Sequence, residues 1–165
     1  MRRGFTLIEV IIYVAMISLF MTALVTFAVN VMLARAKNNS ISDINQEARH
    51  ILRRMETAIV NSKYILSPAT STAAAFFQLR MASSTLNPTS FEVSNGAVAI
   101  KEGNGATTTL TSSRVTFDAP YFYNLSVNTT PTLRLQFRSG LTDPNNSSDF
   151  IYAVYWDTSV TARKN

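Results

Sequence analysis

Arg2-Arg3-Gly4-Phe5-Thr6-Leu7-Ile8-Glu9-Val10, continuing as IIYVAMISLF to Phe20, sets two basic residues, a glycine and an aromatic residue before an apolar run that holds a single acid, Glu9. From Val10 to Val29 there is no charge, and the only polar side chains are Tyr13, Ser18, Thr22 and Thr26. That run matches the roughly 20 residues a helix needs to cross a bilayer. A charge at the bilayer centre costs about 2.5–3.5 kcal/mol on insertion scales and less near the edge. Glu9 stands at the entrance of the run, where the cost is small, so cost alone does not explain why an acid is there.

Working outward, no Gly or Pro occurs between Phe5 and Ser67, so nothing there must stop a helix. Past Asn30 the wholly apolar pattern becomes periodic. Ile41, Ile44, Ala48, Ile51 or Leu52, Met55 and Ile59 recur at steps of three and four, one stripe on a helix. Glu47, Arg49, Arg53, Arg54 and Glu56 fall mostly off that stripe. The pattern predicts one helix from about Phe5 to about Tyr64, roughly 90 Å long, loosened around Asn38, Asn39, Ser40 and Ser42, which are weak helix formers.

Ser67-Pro68 ends the helical pattern, and short runs rich in β-branched and aromatic residues come after it. Strands are predicted at Phe76–Met81, Phe91–Val93, Ala97–Lys101, Arg114–Phe117, Phe122–Val127, around Leu133–Phe137 and at Phe150–Trp156. Asn95-Gly96 marks a hairpin turn. Leu133, Leu135 and Phe137 alternate with Arg134, Gln136 and Arg138, giving one dry and one wet face. The tail Thr161–Asn165 reads as frayed. A sheet with an apolar face and a helix with an apolar stripe each need a cover. The expected fold is therefore α+β: a long N-terminal helix whose apolar half protrudes and whose amphipathic half packs on an antiparallel sheet.

The 165 residues suffice for one soluble domain plus an appendage, and the formal net charge of +5 selects no partner by itself. Without cysteine there is no disulfide and no thiolate chemistry. No Ser-His-Asp set, phosphate loop or pair of buried acids emerges, and His50 has no second ligand at metal spacing. The chain does not read as an enzyme, and no cofactor or metal is expected. Asp143, Asn145, Ser147 and Asp149 alternate oxygen donors of the kind calcium uses, but lack the spacing of a calcium loop and read as turn residues. Asn124, Asn128 and the Asn145–Ser148 cluster match glycosylation acceptors, which arise readily in so Asn- and Ser-rich a chain.

Three readings of the N-terminus remain. A secretory signal cut after Ala36 has too long an apolar region and an acid at its entrance. An uncleaved single-pass anchor would carry an extracytoplasmic binding or sensor domain. The third rests on the order of a basic leader, Gly4, Phe5, Thr6, Leu7, Ile8, Glu9 and an apolar helix, which closely resembles the type IV prepilin signature from Arg2 to about Ala34. The helix-then-sheet organisation extends this pilin-like resemblance loosely over the whole chain. It implies a leader at 1–4, a transmembrane and filament-core half-helix at 5–34, an amphipathic half-helix at 35–66 and a β-rich domain at 67–165. It also implies cleavage between Gly4 and Phe5 by a prepilin peptidase and N-methylation of Phe5. Assembly would proceed through Phe5 and Glu9 of neighbouring subunits. Loss of Arg2 and Arg3 would leave 13 basic side chains against 10 acidic ones.

A cationic Phe5 amine and a carboxylate four residues on can meet between axially staggered subunits. An unpaired charge among apolar helices is expensive and a pair far less so. The resemblance further implies membrane lipid, other pilins or pseudopilins and the membrane platform of an assembly machine as partners. Localisation would be the inner or only membrane before assembly and a pilus or pseudopilus after it. Filament-building pilins often carry a Pro or Gly in the apolar half and a cysteine pair near the C-terminus, and this chain has neither. The Gln46–Ile59 segment loosely resembles the Arg-rich helix of J-type minor pseudopilins and minor pilins. Arg49, Arg53 and Arg54 make DNA a candidate partner, although Glu47 and Glu56 on the same helix favour a solvated face with intrahelical pairs.

Overall fold

The computed structural model describes residues 6–127, 130–142 and 153–163. One helix, α1, runs over Leu7–Val60. The strands after it among the described residues are β1 (Ser62–Ser67), β2 (Ala73–Ala74), β3 (Phe76–Met81), β4 (Thr89–Ser94), β5 (Ala97–Glu102), β6 (Thr108–Thr109), β7 (Val115–Asn124), β8 (Thr132–Leu141) and β9 (Ala153–Thr161). The fold is α+β, a long apolar N-terminal helix followed by antiparallel sheets. Contacts divide the chain into two compact units, Met1–Ser40 and Ile41–Asn165.

In the first unit the helix is long and apolar enough to cross a membrane. Its side chains are almost all exposed, from Leu7 at 82% to Leu33 at 55%. The hydroxyls of Ser18, Thr22 and Thr26 each donate to the carbonyl four residues back, on Val14, Ser18 and Thr22, at 2.8–2.9 Å. Those bonds satisfy polar groups that lipid cannot.

In the second unit the predicted stripe is buried from Ile44 onward, while Ile41, its first member, is half-buried. Ile44, Ala48, Ile51, Leu52, Met55 and Ile59 form a single cluster with Phe77, Leu79, Phe91, Val98 and Ile100 of one sheet and with Val115, Phe117, Phe122, Leu133, Leu135, Phe137 and Val160 of another. The first sheet has the order β1-β3-β4-β5-β6 and the second β2-β7-β8-β9. A single sheet was the expectation; two form, and aromatic contacts join them. Phe77 of β3 stacks on Phe91 of β4 at 4.8 Å and meets Phe122 of β7 edge-on at 5.0 Å.

Several boundaries differ from the sequence reading. The helix ends at Val60 rather than near Tyr64, because Ser62 donates its hydroxyl to the Ile59 carbonyl at 2.7 Å and the next residues pair with β3. The amphipathic half-helix is thus shorter than residues 35–66. The two strands expected around 114–117 and 122–127 are one, β7, which carries a bulge between Asp118 and Tyr121. Ala119 there has φ 47°, and the bulge accommodates Pro120 inside a strand. Thr161 belongs to β9, and Ala162 is buried and donates its N–H to the Pro131 carbonyl, so neither is frayed. The hairpin turn is as expected: Asn95 and Gly96 both have positive φ, at 51° and 76°, joining β4 to β5.

Candidate assembly site

Leu7 is the first helical residue, so Thr6 stands at the cap position and Glu9 three residues later. The backbone N–H and the hydroxyl of Thr6 both donate to Glu9 Oε2, each at 3.1 Å. Val10 N–H donates to the Thr6 carbonyl at 3.3 Å, the first bond of the helix. Glu9 therefore satisfies a backbone donor that the helix start leaves orphaned. Its charge also sits in the first turn, where the helix dipole favours an anion. The sequence reading assigns Thr6 no bonding role; the signal for it is the Thr-x-x-Glu spacing of a capping box ahead of an apolar run.

Glu9 is exposed, on a helix whose neighbouring side chains are apolar and exposed too. A carboxylate has about four acceptor positions, so the two bonds from Thr6 leave capacity for a cationic donor. The arrangement can hold an anion near one end of an apolar helix and offer it to a partner. Gly4 and Phe5 lie outside the described residues.

The other candidates fall away from this site. Three residues of the charged stretch of α1 bond outside the helix. Arg54 bonds Glu102 at 2.7 Å, Arg114 lies 3.2 Å from Asp43, and Glu47 accepts the Ser112 N–H and hydroxyl at 2.6 and 2.7 Å. For Arg54 and Glu47, tertiary bonds stand where intrahelical pairs were expected. Arg49, His50 and Arg53 are exposed. On the wet face of β8, Arg134 makes a two-pronged pair with Asp157, at 2.9 and 2.6 Å, and Gln136 adds a bond at 2.9 Å. The hydrogen bonds from Arg134 and then Gln136 hold the Asp157 carboxyl down at about 2, and Asp157 in turn raises Arg134. Arg138 lies 5.9 Å over the Tyr155 ring.

Asn124 is buried, donating to the Pro68 carbonyl at 2.7 Å and accepting the Ser126 N–H at 3.0 Å, so its amide serves the fold rather than a glycan. Asn128 and the Asp143–Asp149 loop lie outside the described residues. Among the described residues no group of three or more His, Asp or Glu could hold a metal ion.

Residues 1–25 match the prokaryotic N-terminal methylation motif, the type IV pilin signature. No curated protein and no solved structure matches the chain.

Proposed function

We propose that this type IV pilin-like precursor is a structural subunit trimmed after Gly4 by a prepilin peptidase, methylated on the Phe5 amine, and built into a pilus or pseudopilus. The N-terminal methylation motif over residues 1–25 is the observation that carries this reading. The geometry supports it in one respect: Glu9 is held at the helix start by Thr6 and is exposed. A Phe5 amine from a neighbouring subunit then meets a carboxylate already ordered, and subunits docked at the wrong height leave a charge unpaired. Before assembly the same apolar helix anchors the subunit in the cell membrane, with the β-rich unit outside the cytoplasm.

The finer assignment is to a minor pilin or pseudopilin, serving secretion, adhesion, motility or DNA uptake. It rests on an apolar half-helix free of Pro and Gly, a chain without cysteine, and the Arg-rich segment Gln46–Ile59.

Intact-mass measurement of the native protein tests the proposal. A chain beginning at methylated Phe5 is expected. Recovery of an intact Met1 end from cells with an active prepilin peptidase would favour an uncleaved single-pass anchor. A chain beginning at Lys37 would favour an exported soluble protein. Either result overturns the proposal.

A further inference from the structure

Where α1 ends, two adjoining clefts of about 720 and 430 Å³ share Lys63 and Pro131. The lining of the larger mixes apolar residues, Val60, Met81 and Leu86 among them, with the polar Asn61, Ser83 and Thr130, and its only charged lining residues are Lys63 and Arg163. Among the described residues neither cation has an acid within ion-pair distance.

The fold brings the two together from distant parts of the chain. On β1, Ser62 pairs with Met81 and Tyr64 with Arg80, so the ladder skips Lys63. A bulge of this kind re-aims a side chain, and it occurs often beside binding sites. At the other end, Arg163 follows β9 and donates its N–H to the Val60 carbonyl at 3.2 Å, fixing its backbone to the end of the helix.

The larger cleft has the volume of a ligand site. Two cations with no acid in the lining select an anion. Val60 and Leu86, each more than a third exposed, offer apolar side chains a surface to cover. Past Lys63 the groove continues into the smaller cleft, lined by Tyr64, Ile65, Asn124 and Ser126, which suits an extended chain better than a compact molecule. We propose that this groove binds an acidic, partly apolar peptide segment of a partner protein. Lys63 and Arg163 take its carboxylates, and Val60 and Leu86 take its apolar side chains. The proposal goes beyond the pilin reading and uses no residue of the N-terminal motif.

The test uses the full chain in phosphatidylcholine nanodiscs and a labelled octapeptide alternating aspartate and leucine, followed by fluorescence anisotropy. Binding in the range of about 10–300 µM is expected, weakening with added salt. Lys63→Glu and Arg163→Glu should each weaken it about tenfold or more. Arg53→Glu makes the same charge change on an exposed face of α1 and should leave binding within about twofold. Lys63→Gln, a milder change, keeps the test valid if a charge reversal disturbs β1, and should weaken binding in the same direction. The proposal is overturned if the peptide fails to bind at about 1 mM, or if Arg53→Glu weakens it as much as the groove variants. It is equally overturned if oligothymidylate or anionic vesicles bind in preference and lose binding in the same variants.

Discussion

At the scale of single residues, Glu9 answers for its own position. An acid at the edge of an apolar helix is tolerable if something holds it, and the N–H and hydroxyl of Thr6 do so from three residues away. The same residue is the one the assembly proposal needs, so its replacement separates two roles. Glu9→Ala should leave leader cleavage and membrane insertion intact and reduce recruitment into filaments, read by co-purification with other subunits. Wild-type incorporation of that variant would remove the pairing between subunits. A second residue-level prediction concerns Asp157, whose carboxyl Arg134 and Gln136 hold down at about 2. Its folded value lies below its unfolded one, so the pair's contribution is complete above about pH 4 and disappears as pH falls toward about 2. Asp157→Asn should therefore be less stable than the parent at neutral pH. The gap should close over that acid window and shrink with salt, because both partners are exposed. Urea unfolding across pH would show it, and a gap that persists below about pH 2 would count against the pair.

At the scale of elements, α1 has two solvents along one uninterrupted stretch of hydrogen-bonded backbone. Before Ser40 almost all its apolar side chains are exposed; after it, one stripe is sealed under two sheets. The consequence is measurable by matched truncations. Ile51 is fully buried, and Ile51→Ala should cost the β-rich unit about 2–5 kcal/mol in urea unfolding. Ile11, 59% exposed in the apolar unit, contributes nothing to that core. Ile11→Ala should change the same transition by less than about 0.5 kcal/mol. Equal effects at the two sites would mean that the core does not end where the burial pattern places it. The strand bulges belong to this scale too. The one at Ala119 admits a proline into β7, and the one at Lys63 turns a cation toward a groove.

At the scale of the molecule, Ile41–Asn165 carries its own core, formed from three layers of contributors: the α1 stripe and the inner faces of both sheets. A chain beginning at Ile41 should therefore fold, remain soluble and unfold cooperatively within a few degrees of the full-length protein, as followed by circular dichroism; a broad, non-cooperative melt would refute that. Much of this was legible in the residues. The helix, the stripe from Ile44 to Ile59, the Asn95-Gly96 hairpin and the alternation in Leu133–Phe137 are periodic or local signals, and periodicity records which face is buried. The N-terminal signature was legible for the same reason, since Gly4, Phe5, Thr6 and Glu9 are close in sequence and need no fold to bring them together. Other features depended on partners far along the chain. Ser62 ends the helix only because β3 is there to pair with β1, and the division into two sheets depends on which strands find one another. Arg54 and Glu47 leave their own helix for Glu102 and Ser112, at sequence separations of 48 and 65 residues. Lys63 and Arg163 line one groove although far apart in the chain. Sequence alone determined how each segment meets its solvent, because that is a property of a segment; tertiary structure decided which distant groups neutralise, cap or face each other, because that depends on where the closed core holds them.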